Sequence, residues 1–275
     1  MPNAGPLHTI GLLQFSPVYG DIQANIRKID ELLKMQPQAD IWVLPELASS
    51  GYNFASAEEA FKTSEPINDS HFIQFLKHKA KETGSILVSG FNEREDNILY
   101  NSAVMTGPDG LWGHYRKLHL FNREKEYFKP GNLGLPVFDT PLGKVGLLVC
   151  FDWMFPEIWR LLALRGAALI CHPSNLVLPY CQSAIPGYSL TNRIFIATTN
   201  RTGTEKELTF TGQSVLVNPA GDYLIQAGPD EEGGFTHQVD LSMAEDKKMT
   251  PYNDAFKDRR CDYYKLTEKN NTRDD

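Results

Sequence analysis

The sequence predicts an α/β protein in which two sheets lie back to back with helices on the outside. Three observations point there. Short apolar strand-like runs outnumber amphipathic helical stretches, and the helices fall between strands, as in sheets faced by helices. Runs joined by tight turns recur too often for the strict β/α alternation of a barrel. No low-complexity linker or internal repeat divides the chain, so residues 1–275 are expected to form one domain.

The first strand is His8 to Phe15. Asp21 then caps a helix whose Ile22, Ile26, Ile29 and Leu33 fall on one stripe. Ile41 to Leu44 is a compact buried strand stopped by Pro45. Asp69 or Ser70 caps a second helix, with Phe72, Phe75, Leu76 and Ala80 on its inner face. Ile86 to Phe91 and Leu99 to Thr106 read as strands, and the turn Gly107-Pro108-Asp109-Gly110 leads into another, Leu111 to Arg116. Later come a strand at Val145 to Val149, a helix at Pro156 to Arg165 and a strand at Ala168 to Cys171. Ile194 to Thr199, Gln213 to Val217 and Tyr223 to Gln226 complete the strands, the last two joined by the turn Asn218 to Gly221. From Thr250 on, Pro251, Tyr252, Phe256, Tyr263 and Tyr264 sit among Asp258, Arg259 and Arg260 without helix or strand period. Residues 250–275 thus read as a tail packed on another surface.

Composition narrows the partners. A chain of 275 residues that is 41% hydrophobic can bury a sizeable core. The net charge of -7 is spread along the chain with no Lys/Arg block, which argues against nucleic acid and anionic membrane as partners. Met1 to Leu7 lacks the pattern of a secretory signal, and the apolar run Thr9 to Phe15 is too short to span a bilayer. The four cysteines have no C-x-x-C spacing, which disfavours a disulfide framework or a structural zinc site and suits a reducing cytoplasm. A cysteine there is available as a free nucleophile.

Three strands end in a chemically useful group: a carboxylate at Glu46, an amine at Lys117 and a thiol at Cys150. Cys150 stands shortly before a helix opening at Pro156, where the positive end of the dipole is expected to favour thiolate. Singly, Glu46 reads as a solvated loop carboxylate, Lys117 as a surface lysine and Cys150 as a small core residue. Together they suggest a cysteine hydrolase. His172 raises the alternative of a Cys–His dyad, but a His after a strand is more often structural, and the Glu and Lys would then have no role.

The matching stretches are Leu44-Pro45-Glu46 with Ser50-Gly51-Tyr52, then Tyr115 to Phe121, then Cys150-Phe151-Asp152-Trp153-Met154-Phe155-Pro156-Glu157. Over roughly His8 to Tyr264, the chain resembles the nitrilase, or carbon–nitrogen hydrolase, superfamily. The resemblance implies an α-β-β-α sandwich and a catalytic Glu46, Lys117 and Cys150, which stand 71 and 33 residues apart. It implies a second glutamate, Glu124, with Glu126 as the other candidate. Asn175 would form pocket wall, and Phe151, Tyr52, Trp153 and Tyr180 are further expected substrate-binding residues. Tyr188 and Thr191 would stand in the pocket wall where many relatives carry Arg and Glu. The family's pairing through C-terminal tails implies a homodimer or larger assembly.

The expected chemistry is hydrolysis of a small amide to acid and ammonia through a thioester on Cys150, with no metal or organic cofactor. Glu46 would be general base, Lys117 and the Phe151 N–H oxyanion donors, and Glu124 a partner of Lys117 or of the substrate nitrogen. True nitrilases of the family usually have Trp then Glu after the cysteine, and this chain has Phe151-Asp152. N-carbamoyl amine or amino-acid hydrolysis and nitrile hydrolysis are the alternatives. Acyl transfer and an idle binding scaffold stand further off.

Overall fold

In the first strand Ile10 and Leu12 turn to one side and Leu13 to the other, and all three are fully buried, so the sheet must be covered on both faces. The computed structural model, which describes residues 5–266, meets that demand with two sheets and two outer helical layers.

The first half of the chain holds β1 (Leu7–Gln14), α1 (Ile22–Lys34), β2 (Ile41–Val43), α2 (Ala57–Lys62), α3 (His71–Thr83), β3 (Ile86–Glu95), β4 (Ile98–Gly107) and β5 (Gly110–Arg116). A single helical turn, α4 (Glu124–Tyr127), follows. The second half holds β6 (Val137–Thr140), β7 (Gly143–Leu147), α5 (Pro156–Leu164), β8 (Leu169–Pro173), α6 (Cys181–Asn192) and β9 (Phe195–Thr199). Then come the short β10 (Thr204–Glu205) and β11 (Leu208–Thr209), followed by β12 (Val215–Val217), β13 (Tyr223–Gln226), β14 (Gly233–Asp240), β15 (Lys248–Thr250) and β16 (Asn253–Asp254).

One six-stranded sheet runs β14-β1-β2-β3-β4-β5, and the other runs β13-β12-β9-β8-β7-β6. Their inner faces meet directly: Ile10, Leu12, Ile41, Val43, Val88 and Met105 share one core with Val145, Leu147, Leu169, Cys171, Ile196 and Val217. Outside the first sheet, Ile29 and Leu32 of α1 and Phe72 and Leu76 of α3 pack on Trp42, Leu87 and Phe91. Trp159 and Leu162 of α5 and Ile185 of α6 cover the second. The layering is the expected α-β-β-α sandwich.

Caps explain where the long helices start. Asp21 accepts the Ala24 N–H at 2.8 Å, and Ser70, not Asp69, accepts the Ile73 N–H at 2.9 Å. Among the elements that escape the pattern reading, three do so for plain physical reasons. Pro186 interrupts α6. Two glycines open β14, which owes its place to antiparallel pairing with β1. α4 is too short to show a period.

The tail has more structure than its sequence suggests. β15 and β16 pair, the ring of Phe256 lies 5.1 Å from Arg160 and 4.8 Å from Lys247, and Arg160 donates to the Ala255 carbonyl at 3.2 Å. This part of the tail packs on its own chain, while Tyr252, Tyr263 and Tyr264 stay exposed. Residues 267–275 of the expected tail lie outside the described residues. Among the described residues no helix is long and apolar enough to cross a membrane.

Candidate active site

Pro45 ends β2, and the chain turns inward so that Glu46 is fully buried. That turn lies against β3 at Gly90, where an added Cβ would stand 2.3 Å from the Glu46 Cα. Lys117, just past β5, is also fully buried, and its backbone is fixed by Lys117 N–H to the Asn101 carbonyl at 2.8 Å. Its Nζ donates to Glu46 Oε1 at 2.7 Å and to Glu124 Oε1 at 2.8 Å. Asn101 donates a further bond to Glu46 Oε1 at 2.6 Å, and Tyr52 donates to Glu124 Oε1 at 2.8 Å.

One ammonium therefore serves two carboxylates in a dry site. Burial works against the charge on Lys117, but Glu124 and Glu46 outweigh it and hold its pKa well above the usual lysine range. Glu124 is pushed up to about 6 by burial and by Glu46, against the pull of Lys117. The second oxygens, Glu46 Oε2 and Glu124 Oε2, are buried and have no hydrogen-bond partner among the described residues. A carboxylate oxygen without a partner is costly in an apolar site and is poised to accept a proton or an N–H. Glu126, the other candidate, is exposed and pairs with Arg123 at 3.1 Å.

Cys150 opens a short 3₁₀ turn, Cys150–Met154, with φ of 44°, in the left-handed region that a non-glycine residue rarely adopts. Its Sγ lies 3.8 Å from the Asn175 carbonyl. Burial, with Glu46 adding to it and Lys117 opposing, raises the thiol pKa well above its ordinary value. This corrects the expected dipole-favoured thiolate: α5 begins only at Pro156, and the resting group is a thiol that needs a base.

The turn is tied to the Lys117 side of the site through Asp152. Its fully buried carboxylate accepts from the Val149 N–H at 3.0 Å, Tyr115 hydroxyl at 2.8 Å and His119 N–H at 3.1 Å, with His119 Nδ1 at 2.8 Å. Asn175 donates Nδ2 to the Glu46 carbonyl at 2.9 Å, joining the loop after β8 to the loop after β2.

A cavity of about 140 Å³ opens on Cys150. Of the expected substrate-binding residues, Phe151, Asn175, Trp153 and Tyr180 line it, together with Phe121, Met154, Leu176, Val177 and Leu178. Tyr52 does not line it; it stands behind Glu124, its N–H held by Glu205 at 2.9 Å. Tyr188 and Thr191 are also elsewhere, in the outer groove beside the tail, where Tyr188 stacks on Trp159 at 5.2 Å. Among the described residues no group of three or more His, Cys, Asp or Glu is placed to hold a metal ion.

Sequence reasoning passed over Asn101, Gly90, Tyr115 and the role of Asp152. Asn101 carried a usable signal: a carboxamide amid the apolar residues of β4 has to find a buried partner.

Two packed sheets thus hold a buried Lys–Glu–Glu cluster beside a cysteine turn with a positive φ. The carbon-nitrogen hydrolase family model matches residues 9–249. A protein from Pyrococcus abyssi called a nitrilase is 42% identical over 257 residues, covering 93% of this chain and 98% of that one. The crystal structure of a carbon-nitrogen hydrolase from Helicobacter pylori superposes with a TM-score of 0.84 at 28% identity, covering 94% of this chain and 97% of that one. An amidase from Nesterenkonia sp. has a TM-score of 0.76 at 26% identity, covering 96% of this chain and 96% of that one. A mutant of that amidase shows covalent addition of the acetamide moiety of fluoroacetamide at its active site cysteine. This chain belongs to the carbon-nitrogen hydrolase family, the nitrilase superfamily, and is a hydrolase of non-peptide C–N bonds.

Proposed function

We propose that the enzyme hydrolyses a small amide with an uncharged, largely apolar acyl group to the acid and ammonia, through a thioester on Cys150. The observation that carries this reading is a buried Cys150 thiol on a cavity whose other lining side chains are uncharged and mostly apolar, with Glu46 and Lys117 close enough to act on the thiol's charge.

In this reading Cys150 Sγ attacks the amide carbon as its proton passes to Glu46. The carbonyl oxygen becomes an oxyanion held by the Lys117 ammonium and the Phe151 N–H. The C–N bond then breaks, and Glu46 returns the proton to the departing ammonia. Water attacks the thioester and gives a proton to Glu46, which passes it to the leaving sulfur. Glu124 accepts a second bond from the Lys117 ammonium and so keeps it in place. The apolar lining supports an uncharged acyl group, since a substrate carboxylate or ammonium would lack a countercharge on the cavity wall.

Nitrile hydrolysis is the second reading, favoured by the relative called a nitrilase. It requires an acid for the thioimidate nitrogen. Both oxygens of Asp152 are already engaged behind the turn, which supports the amide reading. A paired assay on one acyl group, following ammonia and acid together, separates the two. The amide is expected to exceed its nitrile in kcat/KM by at least ~10-fold, about 1.4 kcal/mol of transition-state discrimination. Equal or faster nitrile conversion overturns the amidase reading.

Two further parts of the reading concern setting. Four unpaired cysteines support a reducing, cytoplasmic home. Exposed tyrosines on the tail beside the α5–α6 groove support association of the chain into a homodimer or larger assembly.

A further inference from the structure

We infer that His172 is a positioning residue that aims the oxyanion-binding peptide of the Cys150 turn by holding the Cys150 carbonyl. The inference rests on the proposed roles of Cys150 and the Phe151 N–H.

His172 is fully buried on β8. Its Nε2 lies 2.9 Å from the Cys150 carbonyl oxygen, and its Nδ1 lies 3.0 Å from Thr198 Oγ1, on the residue paired with it across β9. Trp159 covers the ring edge-on at 5.4 Å. A carbonyl only accepts, so Nε2 carries the hydrogen; this tautomer follows from the partners. Burial pushes the imidazole pKa down to about 4, so at neutral pH the ring carries one N–H. Nδ1 is then an acceptor, and the Thr198 hydroxyl donates to it.

The Cys150 carbonyl and the Phe151 N–H belong to one planar trans peptide and point in opposite directions. Fixing the carbonyl therefore aims the N–H. The first hydrogen bond of the turn runs from the Asp152 N–H to the Val149 carbonyl at 3.0 Å, so the Phe151 N–H falls among the donors a helix start leaves without an intrahelical partner. The positive φ at Cys150 shows that the turn does not follow local preference and needs outside anchors. Asp152 supplies one through the Val149 N–H, and His172 supplies the other. The same geometry removes the Cys–His dyad: Nε2 is committed to the carbonyl oxygen, not to the sulfur.

The test compares two reactions of Cys150 in the full chain. Amide turnover passes through an oxyanion. Mixed-disulfide formation with methyl methanethiosulfonate, read as mass on the Cys150 peptide, has no carbonyl and no oxyanion. In His172→Leu, kcat is expected to fall about 10- to 100-fold, less than the 100- to 1,000-fold for removing a donor outright, while labelling and KM stay within about 3-fold. His172→Gln, which keeps an N–H near the position of Nε2, should recover most of kcat. Thr198→Val should lower kcat about 3- to 10-fold with unchanged labelling, because the second tautomer becomes accessible. Parallel loss of turnover and labelling in these variants, or unchanged kcat in both His172→Leu and Thr198→Val, overturns the inference. Should His172→Leu not fold, the two rates in Thr198→Val decide. Failure of the proposed function looks different: Cys150→Ala would then still turn over the amide.

Discussion

Read from one edge to the other, β14 to β5 or β6 to β13, each sheet pairs antiparallel, parallel, parallel, antiparallel, antiparallel. The strand ends nevertheless carry different chemistry. The first sheet delivers Glu46 after β2 and Lys117 after β5, an ion-pair couple that is 0% exposed and packs with Glu124. The second delivers Cys150 after β7 and Asn175 after β8, with His172 between, all uncharged at neutral pH. Charges out of water persist only when paired, whereas a neutral thiol can be buried alone at little cost. The first sheet should therefore couple activity to stability, and the second should hold activity almost independently of stability.

The sharpest way to break that comparison is a matched pair of substitutions. Cys150→Ala should lower kcat/KM by at least about 100-fold while leaving the melting temperature nearly unchanged. Cys171→Ala, Cys181→Ala and Cys261→Ala should keep most of the turnover. Lys117→Met should lower kcat by about 100-fold or more and also destabilise the fold by about 3–5 kcal/mol, since it strands two buried carboxylates. Denaturant titration beside steady-state kinetics checks both. If Cys150→Ala unfolds as readily as Lys117→Met, the division between the sheets is wrong.

Acidity offers a milder test. Glu124 has a folded pKa of about 6 against an ordinary value of 4.5. A raised carboxylate pKa means the folded state binds more protons between those values. Its contribution to stability is present below pH 4.5 and is lost as pH rises through about 6. Activity runs the other way: turnover should fall as pH drops below about 6, because Glu124 takes up a proton and loosens its hold on Lys117. In Glu124→Gln the limb near pH 6 should be lost from the remaining activity, since the group that titrates there is gone. An unmoved limb would remove Glu124 from the coupled pair.

Much of this layout is legible in the sequence, and the remainder is not for one reason. Capped amphipathic helices such as α1 and α3 show themselves through local signals, the Asp21 and Ser70 side chains and one apolar stripe each. Glu46, Lys117 and Cys150 show themselves as polar groups at the ends of apolar strands. What local pattern does not carry is long-range pairing. Asn101 meets Glu46 across 55 residues, Asp152 meets Tyr115 across 37, and β14 meets β1 from the far end of the chain. The thiolate expectation failed similarly, since burial by distant elements outweighs a helix dipole six residues away.

The smallest expected effect concerns the tail, remote from both strand-end sets. Deleting residues after Met249 removes β16 and Tyr264 from the α5–α6 groove, and with them Phe256 and the exposed Tyr252 and Tyr263. Light scattering should show a lower oligomer mass, and an unchanged mass removes the assembly proposal.

The central claim is that the second sheet supplies the covalent nucleophile, while the first supplies the proton-transfer carboxylate and the ammonium and forms no bond to the acyl group. Acid quenching during turnover of a slowly hydrolysed amide, followed by peptide mass analysis, tests it directly. The account predicts the acyl group on the peptide bearing Cys150, released as free acid when the quench is delayed. The same acyl group on Glu46, Lys117 or any other residue would contradict it.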